Sequence, residues 1–255
     1  MSQSKLFKFQ PTREILVVLF SWVMVVAVLH TAFQVFTTKL VAANFITFGI
    51  VGILLCGIML PVVWNTLIMK RSLGAIGITK HKLALSLILG VILTVAQYFL
   101  TLKNIEIPGL YEMIPLVTMA LAVGLYENIF YRGWVQLRME EYFGIIPAIL
   151  LSGIIYTLYH IGYGMTASEM KILFIVGIVY STIFRLTGNI FILYPLLTPT
   201  GALFTQLQEG LRLPFPATYG FADVILAIIV GLVIVNRISK KSSASIMPKV
   251  KQYFM

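Results

Sequence analysis

The chain has the composition of a membrane protein. Of its 255 residues 59% are hydrophobic and only 11% are charged, and its mean hydropathy is +0.96. Soluble domains carry about 25% charged residues, so the composition excludes a soluble globular protein. Its long apolar runs match the ~20 residues that a helix needs to cross ~30 Å of hydrocarbon. We therefore predict an all-α fold, a polytopic transmembrane helical bundle in a lipid bilayer.

The net charge of +10 indicates orientation rather than nucleic-acid binding. Breaks between the apolar runs predict about eight spans, near 15–36, 45–69, 83–102, 113–133, 146–163, 169–186, 190–206 and 221–237. With a cytoplasmic N-terminus, the outer connections hold only four of the 19 basic residues, Lys39, Lys103, Lys171 and Arg212. Lys and Arg accumulate on the cytoplasmic side, so we predict that both termini are cytoplasmic. The prediction is a multi-pass protein of a bacterial cell membrane with no nucleic-acid partner.

The polar segments between the spans are short, which favours one domain. We predict a single transmembrane domain over 1–238, followed by a basic cytoplasmic tail over 239–255. Cys56 is the only cysteine and lies within an apolar run. An intramolecular disulfide and a cysteine metal cluster are thereby excluded.

Ionisable residues within spans are costly and mark candidate sites. Glu127 falls in the fourth span and His160 in the fifth, and the first turn signal between them is Phe143-Gly144. The two spans are thus predicted to form an antiparallel hairpin. Each residue lies ~16 positions, or ~24 Å, from that turn, so we predict that Glu127 and His160 face each other at the same depth.

A carboxylate and an imidazole at one depth suit general-base activation of water. The same pair is also compatible with a structural hydrogen bond that clamps two spans, and spacing alone leaves both interpretations open. Helical periodicity places Asn128 and Arg132 on one face, and Tyr131 on the face of Glu127. Tyr156 precedes His160 by one turn, which adds it to the candidate site.

At these residues the sequence resembles the CAAX protease and bacteriocin-processing (CPBP, or Abi) family of intramembrane proteases. The family's Glu-Glu-x-x-x-Arg motif is matched from Glu127 to Arg132, with Asn128 in place of the second glutamate. Its Phe-x-x-x-His motif is matched from Tyr156 to His160. The resemblance places the family core at about 110–206. It implies peptide hydrolysis within the membrane, with Glu127 and His160 activating water, Arg132 catalytic beside them, and Asn128, Tyr131 and Tyr156 in support.

A third family motif, His-x-x-x-Asn or Asp on a later span, has no counterpart here, because residues 194–203 contain no His, Asn or Asp. In the family this motif stabilises the oxyanion. Thr198 and Thr200 are the candidate donors in its place, with Gln206 a further one. Removal of one oxyanion donor costs about 10²–10³ in rate.

No metal or other cofactor is predicted. Catalytic zinc takes three protein ligands, and the sequence has neither a His-Glu-x-x-His helix nor a second histidine near His160.

Three functions remain open. The first is an intramembrane endopeptidase that acts on a membrane-associated peptide or protein tail. The second is a non-catalytic member of the same fold that binds or positions a partner protein, in bacteriocin immunity or a cell-envelope role, and Asn128 together with the missing histidine favours it. The third is a transporter or an immunity-type membrane protein of unrelated mechanism.

Overall fold

The computed structural model describes residues 5–35 and 41–252. All regular secondary structure in this part of the chain is helical, which confirms the predicted fold class. The long helices, labelled in chain order, are α1 Glu14–Val35, α2 Ala42–Ile68, α3 Leu83–Leu100, α4 Leu110–Phe143, α5 Ile145–Tyr163, α6 Ala167–Thr187, α7 Leu197–Gln208 and α8 Ala217–Gln252. Lys39, predicted in an outer connection, lies outside the described residues.

The predicted span 190–206 is wrong as a continuous helix. Its residues form a short 3₁₀ turn, Ile190–Ile192, and then α7, Leu197–Gln208, a helix of 12 residues. Such a helix is about 18 Å long at 1.5 Å per residue, too short for ~30 Å of hydrocarbon. Pro195 lies between the two and cannot donate a helical hydrogen bond. Within 5–35 and 41–252, seven helices are long and apolar enough to cross a membrane.

Residues 190–215, which contain this short turn and α7, still run the length of the bundle. At one end the backbone N–H of Ile190 donates to the Gly77 carbonyl (3.1 Å). The preceding residue, Ile76, has its carbonyl against Gly133 of α4. At the other end Phe215 stacks on Tyr111, near the start of α4, with ring centres 4.3 Å apart. These two contact points on α4 are separated by about 33 Å. Residues 190–215 therefore traverse the same thickness as the spanning helices.

Helices α4 and α5 form the predicted hairpin. Helix α4 ends at Phe143 and α5 begins at Ile145, with Gly144 as the single connecting residue. Gly144 has φ +88°, a left-handed conformation that glycine adopts without steric cost. The predicted end of the fourth span at 133 is too early, because α4 continues through 34 residues.

The first described residues of the chain lie beside this turn, and we call this side of the bundle the turn end. Backbone N–H groups of Lys8 and Gln10 donate to the carbonyls of Phe143 and Tyr142 (2.8 and 2.9 Å). At the other end of the chain, Ser239 of α8 bonds the carbonyl of Thr66 in α2 (3.4 Å), near the 69–82 loop. Helix α8 passes through the predicted boundary at 238 without a break. That the turn end faces the cytoplasm stays a prediction.

Buried ion pairs join several elements at the turn end. Arg71, in the loop after α2, makes two hydrogen bonds to the Glu14 carboxylate at the start of α1 (2.6 and 3.0 Å). Glu140 of α4 pairs with Arg185 of α6 (3.0 Å). Both carboxylate side chains are about nine-tenths buried or more. These contacts link α1 to the loop after α2, and α4 to α6.

Candidate active site

Glu127 lies at the middle of α4, about 25 Å from either end of that helix. Only 8% of the residue is exposed. One carboxylate oxygen, Oε1, accepts a hydrogen bond from the hydroxyl of Tyr159 on α5. Immediately after Glu127 the helix widens from α to π geometry over Asn128–Gln136. Such wide turns are frequent at functional sites, and here the turn starts at the predicted catalytic motif.

His160 lies in the last turn of α5, where Tyr159–Tyr163 forms a 3₁₀ segment. Its ring nitrogen Nδ1 is 3.0 Å from the carbonyl oxygen of Tyr156. A carbonyl oxygen only accepts hydrogen bonds, so Nδ1 carries the hydrogen. In the neutral ring, Nε2 is then left as the acceptor. The backbone thus orients His160 so that Nε2 is able to take up a proton.

Tyr159 contacts both of these residues. Its hydroxyl donates to Glu127, and its ring centre lies 4.0 Å from that of His160. The hairpin thereby brings the carboxylate and the imidazole against one shared side chain. The sequence gives no signal for Tyr159 beyond its position before His160.

Arg132 is buried and binds neutral oxygen atoms. Its Nη1 donates to the hydroxyls of Ser152 on α5 (3.0 Å) and Ser181 on α6 (2.5 Å). The guanidinium carbon also lies 5.1 Å from the ring centre of Tyr156, within cation–π range. In the described part of the chain Arg132 forms no ion pair with a carboxylate. One guanidinium therefore ties three helices together through hydroxyl groups.

Asn128, which replaces the second glutamate of the family motif, faces α7. Its amide nitrogen donates to the Gly124 carbonyl (2.7 Å), and its amide oxygen lies 3.5 Å from the hydroxyl of Thr198. Thr198 is therefore next to the motif. Thr200 is half-buried, with its backbone N–H bonded to Leu196, and no contact in the described residues joins its side chain to the site.

Tyr131 and Tyr156 belong to an aromatic layer over the site. The Tyr131 ring stacks on Tyr159 at 4.7 Å, and Tyr156 meets Tyr131 edge-on at 5.3 Å. The Tyr131 hydroxyl bonds the hydroxyl of Tyr126 (3.2 Å). Both predicted supporting tyrosines thus pack around Tyr159.

The two serines beside Arg132 have no counterpart among the residues predicted from sequence. Ser152 and Ser181 are each completely buried and lie 20 and 49 residues from Arg132 along the chain. A serine in an apolar run carries no motif, so only tertiary structure shows that these hydroxyls face the guanidinium.

Glu127 and His160 offer two of the three protein ligands that are typical of catalytic zinc. Within the described ranges no three His, Cys, Asp or Glu side chains come together. One carboxylate and one imidazole do not complete such a ligand set.

Comparison with known proteins identifies the segment that carries these residues. Residues 109–196 match the family model described as type II CAAX prenyl endopeptidase Rce1-like. No curated protein matches the chain significantly. The match covers α4, α5 and α6 and includes Glu127, Arg132 and His160. The resemblance to the CPBP family is thus confirmed over residues 109–196, where this membrane-embedded chain is similar to the Rce1-like CAAX proteases.

Proposed function

We propose that the protein is an intramembrane endopeptidase that hydrolyses a membrane-associated peptide or protein tail. The observation that carries the proposal is the contact of Glu127 and His160 with the same tyrosine, inside the segment that matches the protease family. A buried carboxylate and a histidine with a free ring acceptor are a suitable pair for removing a proton from water.

In the proposed reaction, the water oxygen attacks the carbonyl carbon of the scissile peptide bond. The Glu127 carboxylate accepts one water proton while Nε2 of His160 accepts a hydrogen bond from the remaining O–H, and the carbonyl oxygen takes up negative charge. The C–N bond then breaks, the carbonyl re-forms, and the proton passes to the leaving amine. One peptide bond and one water molecule thereby give a carboxyl group and an amine.

The negative charge on the carbonyl oxygen requires a donor or a cation. Arg132 is the candidate cation, because its guanidinium has no carboxylate partner in the described residues. Thr198, bonded at 3.5 Å to Asn128, is the hydroxyl donor beside the motif. Stabilisation of the developing charge by such groups commonly lowers the barrier to acyl transfer more than any other single effect.

A partner-binding protein is the second candidate. It is favoured by Asn128, whose amide replaces an acid and bonds the α4 backbone, and by the lack of a histidine in residues 194–203. In that case Glu127 and Tyr159 would clamp the hairpin, and glutamine would serve nearly as well as glutamate.

The test is cleavage by purified protein in lipid. Peptides with a C-terminal cysteine tail, prenylated and unprenylated, and a set of transmembrane peptides would be incubated and analysed by mass spectrometry. We expect new termini with wild-type protein and none with Glu127→Gln or His160→Ala.

Two matched variants control for the substitutions. Glu112→Gln makes the same change on an exposed first-turn residue of α4, and His81→Ala removes an exposed histidine. Both should cleave like the wild type. Cleavage that persists in Glu127→Gln, or a native phenotype in cells that carry either site variant, would contradict the peptidase and support the partner-binding protein.

A further inference from the structure

Tyr159 is held rigidly between the two elements of the candidate site. It is 1% exposed, stacked on Tyr131 and in edge contact with Tyr126 (6.5 Å). Its hydroxyl reaches across from α5 to Glu127 of α4. Aromatic contacts on both sides thus fix the direction of the O–H bond.

The direction of the Glu127 carboxylate depends on this contact. The side chain leaves α4 where the helix changes to π geometry at Asn128, so regular helical packing does not orient it. A free carboxylate rotates about its last bond, which is a broad torsion. With Oε1 held by Tyr159, the second oxygen is restricted to one direction.

We propose that Tyr159 is a positioning residue that orients the Glu127 carboxylate for proton removal from water beside His160. The inference rests on the proposed peptidase function. Tyr159 itself is not a base in this reaction. It acts through Glu127, because a reacting side chain is kept in its productive geometry by the residues that hydrogen-bond to it and pack against it. The ring contact at 4.0 Å between Tyr159 and His160 confines the imidazole from the same side.

Tyr159→Phe tests the role, because it removes the hydroxyl and keeps the ring. A hydrogen bond to a charged group corresponds to about a 10- to 100-fold change in rate. We expect kcat for peptide cleavage to fall by that factor while KM stays unchanged. Tyr180→Phe is the matched control: it removes a buried tyrosine hydroxyl on α6 that donates to Gln97 of α3 (3.0 Å), and its kcat should equal that of wild type.

Infrared spectroscopy gives a readout that does not need activity. The carboxyl band absent from Glu127→Gln identifies Glu127, and we expect Tyr159→Phe, but not Tyr180→Phe, to shift that band. Wild-type cleavage with an unchanged kcat in Tyr159→Phe overturns the positioning role alone. An unshifted band overturns the hydrogen bond on which it rests. A shifted band in a protein that cleaves no peptide overturns the proposed function and, with it, the positioning role of Tyr159.

Discussion

Nη1 of Arg132 on α4 lies 3.0 Å from the hydroxyl oxygen of Ser152 on α5. The same nitrogen also donates to Ser181 on α6. A guanidinium that is 2% exposed is therefore solvated by serine hydroxyls from two neighbouring helices. The serines act as ligands of a buried charge rather than as neutral packing residues.

Removal of one of these hydroxyls should destabilise the helix bundle. Ser152→Ala or Ser181→Ala leaves a buried charged donor with one acceptor fewer, and we expect a loss of about 1–3 kcal/mol in the free energy of unfolding. Denaturant titration in detergent micelles measures it. Ser86→Ala is the control, since its buried hydroxyl bonds only the Lys82 carbonyl of its own turn. Equal losses in all three variants would contradict a role in solvating Arg132.

The Glu14–Arg71 pair should behave as a buried ion pair. The Glu14 side chain is 4% exposed, and Arg71→Met would leave its carboxylate without this partner, at a cost of about 3 kcal/mol. A double variant, Glu14→Leu with Arg71→Met, should recover much of that loss, because no unpaired charge remains buried. Thermal unfolding of the single and double variants checks this, with the exposed Lys80→Met as control. Additive losses in the double variant would refute the coupling.

The contribution of this pair should persist at alkaline pH. Burial lowers the pKa of Arg71, but hydrogen bonds with Glu14 and Tyr142 and the nearby carboxylates outweigh that effect, so the pKa lies above its ordinary value. A raised pKa of a base gives stability that is present below the unfolded-state pKa and is lost only above it. The stability difference between wild type and Arg71→Met should therefore be the same at pH 7 and pH 10. A difference that shrinks by pH 10 would show that Arg71 loses its charge in this range.

Gly133 should not tolerate a side chain. A Cβ atom there would lie 2.3 Å from the backbone carbonyl oxygen of Ile76, and a backbone atom has no alternative rotamer. We expect Gly133→Ala to cost at least about 1–3 kcal/mol, seen as a lower unfolding temperature or a reduced folded yield. Gly109→Ala provides the control, because a Cβ atom at Gly109 meets nothing within 4 Å. Wild-type stability of Gly133→Ala would be inconsistent with this close approach.

Cysteine labelling should place the turn end in the cytoplasm. In a Cys56→Ala background, single cysteines at the exposed positions Lys80 and Lys240 should react with an impermeant reagent only after the cells are opened. A cysteine at the exposed Glu106, on the opposite side, should react in intact cells. The excess of Lys and Arg on the turn side is the physical reason. The reverse pattern would invert the predicted orientation.

The hairpin was accessible from sequence because it depends on local rules. The turn at Phe143-Gly144 has a glycine where the backbone requires φ +88°, and helices that leave a one-residue turn are antiparallel. Equal distances along two such helices predict that Glu127 and His160 lie at one depth, and the structure places both against Tyr159. The predicted span 190–206 was wrong for the opposite reason: its mean hydropathy suits a helix, whereas Pro195 interrupts the backbone hydrogen bonding.

The sequence by itself determined that the chain lies in a lipid bilayer, that its fold is helical, and that Glu127 and His160 are the candidate residues. Scarce charge in apolar runs allows only a membrane helix bundle, and the same scarcity makes Glu127 conspicuous. Only the tertiary structure decided what surrounds them, namely the Tyr159 hydroxyl on Glu127 and two serines on Arg132. Those partners come from different helices, and because tyrosine and serine are common in such helices, no spacing rule distinguishes the ones that meet.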